Sequence, residues 1–147
     1  MATCAWVLLS SGCQEPNDLT LPPGVIPNRS NLIISDSVPP SGDAMITTYA
    51  TLRVANQAGQ RTLTLRQVIG DYYHDVFVHW DKGESGASSV THFWAYGWDY
   101  EGPSASCHDA ECAGVQIDET ARLVSLTDVT LSGATGEAST LDGTVGW

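Results

Sequence analysis

From Met45 onward, hydrophobic and polar residues alternate in short runs, without the longer spacing of a helix. In Ile46-Thr47-Thr48-Tyr49-Ala50-Thr51-Leu52-Arg53-Val54 the run is rich in β-branched residues. Ile46, Thr48, Ala50, Leu52 and Val54 fall on one face of an extended chain. Asn56-Gln57-Ala58-Gly59-Gln60 has the composition of a turn, and Thr62-Leu63-Thr64-Leu65 resumes the alternation, which predicts a hairpin. Further strands are expected over residues 72–80, 90–100, 115–118, 123–131 and 138–145. The Gly-rich stretches 81–86 and 132–136 turn the chain between them. Asp118-Glu119-Thr120-Ala121 reads as a turn, and Asp142-Gly143 as a tight turn or a bulge. No segment shows a capped helical period; at most residues 65–69 make one turn. The pattern predicts an all-β fold, an immunoglobulin-like or jelly-roll-like antiparallel β-sandwich of seven to eight strands.

The chain before residue 32 is different. Residues 14–31 hold Pro16, Pro22, Pro23, Gly24 and Pro27 among Asn17, Asp18, Asn28 and Ser30. That density of proline disfavours helices and central strands and favours an extended spacer. A second break, Val38-Pro39-Pro40-Ser41-Gly42-Asp43, is expected to end an edge strand at Leu32-Ile33-Ile34. Ahead of the spacer, Leu8-Leu9-Ser10-Ser11-Gly12-Cys13 is a short apolar run ending in Gly-Cys. It resembles the signal of a bacterial lipoprotein, in which a peptidase cuts before the cysteine and the thiol then carries lipid. Met1-Ala2-Thr3 has no basic residue, and Ala5-Trp6-Val7-Leu8-Leu9 falls short of the roughly 7–15 apolar residues of a secretory signal. Residues 1–12 are therefore read as the remnant of a truncated signal peptide, 13–31 as a Pro-rich tether and 32–147 as the β-sandwich domain. The alternative is a frayed N-terminal segment in which Cys13 is an ordinary thiol. The resemblance implies lipidation at Cys13 and a place in the bacterial cell envelope. Gln14 after the cysteine leans toward the outer membrane or a periplasm-facing site. The C-terminal stretch from Cys112 through Asp118 and Arg122 to Val145 is also similar to small bacterial lipoproteins of unassigned function, which offer no catalytic residues to transfer.

Six Lys and Arg stand against 17 Asp and Glu, a formal charge of −11. Such acidity disfavours nucleic acid and electrostatic attachment to anionic lipid, and is compatible with cationic partners or calcium. No apolar run approaches the ~18 residues of a spanning helix. Membrane contact is then expected only through Cys13, and the partners expected are carbohydrate or another envelope protein.

Cys107-His108-Asp109-Ala110-Glu111-Cys112 is the second concentration of chemistry. In an oxidising compartment, Cys107 and Cys112 read as a disulfide closing a small loop. Zinc held by Cys107, His108 and Cys112 is the rival, but no second Cys or His pair at matching spacing completes a site.

The most suggestive binding pattern is Trp94-Ala95-Tyr96-Gly97-Trp98-Asp99-Tyr100. On a regular strand Trp94, Tyr96, Trp98 and Tyr100 share a face at ~7 Å intervals and could stack on successive sugars. The alternative is that this face is core, with one or two rings left wet at an end. Gly97 could also bulge the strand and reassign its faces. His74 and His79 should face opposite sides of one strand, while His92 shares the parity of Trp94. No nucleophile elbow, metalloprotease helix, Walker loop or dinucleotide fingerprint occurs. No cofactor, metal or catalytic residue is assigned. The expectation is a non-enzymatic binding or structural module. A carbohydrate-binding module is the first alternative, and a hydrolase built on His and Asp the second.

Overall fold

A computed structural model describes residues 29–36, 42–55, 59–97 and 102–147. Cys13, most of the tether, Trp98 and Tyr100 lie outside the described residues. The fold is all-β and antiparallel. Its strands are β1 (Asn31–Asp36), β2 (Gly42–Ile46), β3 (Thr51–Ala55), β4 (Gln60–Ile69), β5 (Tyr72–Asp81), β6 (Ser89–Tyr96), β7 (Ser104–His108), β8 (Val115–Asp118), β9 (Leu123–Ser132) and β10 (Ala138–Gly146). One 3-10 turn, Asp109–Cys112, separates β7 from β8.

All ten strands form one sheet in the order β2-β1-β10-β9-β7-β6-β5-β4-β3, with β8 paired to β9 off this path. The two ends of the path are consecutive in sequence, and that forces the sheet to curl. Laid flat, β2 and β3 would lie eight strand spacings apart, ~38 Å. The link between Ile46 and Thr51 can span at most about 18 Å. The sheet therefore wraps until its ends meet, and its halves face each other across one core. Gln67 of β4 bridges the seam: its side-chain carbonyl accepts from the Thr47 N–H at 2.8 Å, and its amide donates to the Met45 carbonyl at 3.4 Å. Arg29 donates to the Thr47 carbonyl and, at 3.3 Å, to its hydroxyl. Ser30, placed in the tether by its neighbours, is already buried and pairs with Thr48.

The count exceeds the seven to eight strands expected for two reasons. Alternation predicts a single strand over 46–54, yet residues 47–50 break it into β2, which pairs with β1, and β3, which pairs with β4. In addition, β7 lies in a segment with no alternation of large residues, where only Ala105 and Cys107 point inward. The predicted hairpin is β3–β4. Residues 65–69 extend β4 instead of forming a helical turn, and the chain reverses at Gly70-Asp71.

The predicted turn after Asp118 is held by its carboxylate, which accepts from the Ala121 N–H at 2.8 Å. At Asp142-Gly143 the register of β10 against β9 shifts, as a bulge does. Only glycine fits there: Gly143 has φ +135°, and an added Cβ would lie 2.0 Å from the Asn31 carbonyl oxygen of β1.

Cys107 and Cys112 form the expected disulfide, with Cα atoms 5.4 Å apart. Both sulfurs are committed to the bond, so neither is left as a thiolate for zinc. Closing so short a loop contributes about 2 kcal/mol in the chain-entropy account. The bond ties the end of β7 to the 3-10 turn, so that the chain enters β8 with Val115 and Ile117 facing the core.

Inside the curl, Leu32, Ile34, Leu63, Leu65, Val76, Val78, Leu131 and Leu141 are wholly buried, with Trp80 and Trp94 as the largest side chains. One end of the core is closed by Trp147, whose ring lies 5.7 Å from that of Trp80. Trp80 Nε1 donates to Glu119 at 2.9 Å, and the buried Arg61 approaches the same carboxylate at 3.4 Å. Among the described residues no helix is long and apolar enough to cross a membrane.

Candidate functional site

The aromatic row expected on β6 divides between core and surface. Trp94 is 1% exposed and Tyr96 63%. Both have inward parity, but Tyr96 lies past the last core layer, at the turn closed by the Gly97 N–H on the Asp71 carbonyl. There it meets the edge of Tyr72 at 5.3 Å. A platform built on Trp94 is therefore corrected: this ring fills the core, as large aromatic surfaces tend to. Tyr96 is the wet ring at its end.

Two histidines converge on the inner face. His74 on β5 and His92 on β6 are diagonal neighbours on the inner face. His74 Nδ1 lies 3.1 Å from His92 Nε2, and His92 Nδ1 lies 2.9 Å from the Ser139 hydroxyl of β10. His92 also stacks on Trp94, with ring centroids 4.7 Å apart. Each neutral imidazole can donate from one nitrogen and accept at the other, so the chain is satisfied without charge. Burial, reinforced by the neighbouring His74, pushes the His92 pKa down to about 3. His74 is also lowered by burial, against an opposing pull from Asp75. A serine, a base and a second histidine resemble the parts of a nucleophilic site. None of the three side chains is more than 1% exposed, however, so a substrate has no approach in this conformation. The arrangement acts as a polar link between β5, β6 and β10. The signal was present in the sequence: both histidines share the parity of the inward-facing Val76, Val78 and Val90.

The outer faces of the same strands carry a different chemistry. The strand register places Thr51, Thr64, Phe77, Thr91 and Ser106 in one row across β3 to β7. Two residues along the strands lies the row Arg53, Thr62, His79, Ser89, His108. On the other side lies the row Arg66, Asp75, Phe93, Ser104. The surface is thus a lattice of hydroxyls with half-buried phenyl rings at its centre and guanidinium groups at its margin.

A groove of about 460 Å³ opens on it, lined by Tyr49, Thr51, Arg53, Thr64, Arg66 and Phe77. A second depression of about 250 Å³ is lined in part by Thr62, His79, Ser88 and Ser89. Thr62 of the second depression pairs across the strands with Arg53 of the first, so the two depressions are neighbours on this face.

Fixed polar contacts organise this face. Arg66 Nε and Nη2 donate to the two oxygens of Asp75 at 2.8 and 2.6 Å, a two-pronged pair. The Thr62 hydroxyl lies 2.9 Å from His79 Nδ1, and burial lowers the His79 pKa, so that its ring is neutral near pH 7. Arg53, by contrast, is exposed and makes no ion pair or side-chain hydrogen bond among the described residues. Reasoning from sequence missed this surface because its residues occupy the polar half of an alternation whose apolar half marks the core. The available signal was the recurrence of Thr and Arg between Leu52, Leu63 and Leu65.

No protein-family model matches the chain, and no curated protein or solved structure gives a match.

Proposed function

We propose that this chain is a non-enzymatic binding module of the bacterial cell envelope, lipid-anchored through Cys13, that takes carbohydrate on the outer face of β3 to β7. The observation that carries this reading is the groove around Phe77. Its rings, hydroxyls and guanidinium groups are the set that binds a sugar: an apolar face for the ring C–H groups and convergent polar groups for the hydroxyls. The surface needs no induced opening, because Phe77 and the hydroxyl rows stand on paired strands of the sheet. Its two neighbouring depressions suit an extended ligand more than a single small molecule. The lipoprotein-like Gly12-Cys13 and the Pro-rich spacer support a tethered domain that reaches glycan near a membrane.

The test is an array of soluble polysaccharides and oligosaccharides probed with the full chain, followed by calorimetry on the hits. Binding is expected to fall by about tenfold or more in Phe77→Ala, the range for losing a central aromatic contact. Tyr96→Ala, at the distant strand end, should retain it. Absence of binding to every glycan on the array overturns the reading. So does binding that Phe77→Ala leaves intact.

A further inference from the structure

The charge distribution on the same face narrows the ligand class. We infer that the groove selects acidic glycans and that Arg53 receives their carboxylate; this rests on the carbohydrate reading above. A chain with a formal charge of −11 repels polyanions over most of its surface. Only six residues are Lys or Arg, and two of them, Arg53 and Arg66, line this one groove. With Arg66 paired to Asp75, the groove keeps one uncompensated positive charge among its lining residues, that of Arg53.

The two arginines are not equivalent. Arg66 is clasped by Asp75, whose carboxylate takes two of its donors and offsets its charge. Arg53 has no such partner among the described residues and stands, exposed, on the edge strand. A guanidinium presents a planar fork that matches a carboxylate in two parallel hydrogen bonds, a geometry a lone ammonium does not offer.

Thr51 and Thr64 lie in the row beside Arg53, and Phe77 continues that row. A sugar ring stacked on Phe77 would thus place hydroxyls near the threonines and a ring carboxylate toward β3. Arg66 bounds the groove on the opposite side, about 13 Å from the Arg53 row along the strands, given four residues of rise. Two neighbouring depressions on this face favour a polymer of uronic acids over an isolated carboxylate.

The experiment uses homogalacturonan oligosaccharides in two forms, the free acid and the fully methyl-esterified chain. These differ only in the carboxylate. The full chain should bind the acid about tenfold or more tightly than the ester, the range for one charge-assisted contact. The preference should shrink as salt is raised from about 20 to 500 mM. Arg53→Gln should abolish the preference, because it lowers affinity for the acid much more than affinity for the ester. It should also fold normally, since the side chain is exposed and makes no pair among the described residues.

Equal binding of acid and ester, or an acid preference that survives Arg53→Gln, overturns this inference while leaving the carbohydrate reading standing. Binding of neutral glycans alone does the same. Failure to bind any glycan removes both. Poly-glutamate of matched length is the control for class: if it binds as tightly as the acid, through Arg53 and Phe77, the site reads a polypeptide and the glycan assignment is wrong.

Discussion

Strands β5 and β6 present two histidine environments that differ only in which way the side chain points. His74 and His92 face inward among Val76, Val78, Val90 and Trp94, shut off from solvent. His79, five residues from His74, faces outward beside Thr62 and is half-buried. Burial lowers the pKa of all three, most for the most enclosed. The contrast extends to the whole sheet. Inside, His74, His92 and Ser139 satisfy one another and hold strands together, while the Trp94 Nε1 is buried without a hydrogen-bond partner among the described residues. Outside, the same kinds of group remain available to a ligand. Stability should therefore depend on the inner face and binding on the outer one.

The largest expected effect contrasts two aromatics of nearby strands. Trp94→Ala empties a fully buried site and should lower unfolding free energy by about 4 kcal/mol, in the range for Trp or Phe truncations in cores. Phe77→Ala, on the half-buried outer face, should cost no more than about 1 kcal/mol. Urea unfolding followed by tryptophan fluorescence measures Phe77→Ala directly. Far-UV circular dichroism serves for Trp94→Ala, which changes the fluorophore. Equal losses would show that the outer face is part of the core, and the division between the two faces would collapse.

The second effect is acid sensitivity. A histidine in the unfolded chain titrates near 6.5, whereas His92 in the fold is held at about 3. Above pH 6.5 both states are neutral, and the contribution to stability is fully present. As the pH falls below 6.5, the unfolded chain takes up a proton that the fold refuses, so stability drops continuously toward pH 3. At pH 5 the loss from His92 alone is about 2 kcal/mol, and His74 shifts in the same direction. Measuring urea midpoints at pH 7.5 and 5 on the parent chain and on His92→Gln isolates the contribution from that of the carboxylates. The variant should show a shallower decline. If both chains lose the same stability, the inner histidines are not held neutral by burial.

Whether a feature is legible in the amino-acid sequence depends on how local it is. The Asp118 turn and the Cys107–Cys112 loop depend on residues close in sequence, and the bulge at Gly143 carries a local Asp-Gly signal, so each was readable. The break at residues 47–50 was not, because β-branched residues continue through it with no glycine or proline. It exists because β2 and β3 find partners at opposite ends of the sheet path. The meeting of His74, His92 and Ser139 likewise requires the β5–β6 register and the placement of β10, with sequence separations of 18 and 47. The outer groove needed the register of β3 through β5. Alternation showed which residues were polar, but not which of them stood side by side. The aromatic row misled for a related reason: periodicity assigns Trp94 and Tyr96 to one face, but not the point where that face leaves the core.

The smallest effect sharpens the contrast most, because the Arg66–Asp75 pair straddles the two environments. The arginine side chain is 64% exposed and the aspartate 9%. An exposed ion pair is worth about 0.2–1 kcal/mol in mutant cycles, since water and salt screen it. Removing the arginine, however, leaves a nearly buried carboxylate without its two donors, and that cost adds to the lost attraction. Arg66→Ala should thus destabilise more than Asp75→Asn, which keeps the shape and leaves the exposed guanidinium to water. A double-mutant cycle of Arg66→Ala and Asp75→Asn, read by urea unfolding, should return a coupling of about 1 kcal/mol or less, with the single arginine variant the worse of the two. The reverse order would mean that Asp75 is well hydrated without its partner, which would place it fully with the outer, water-facing set.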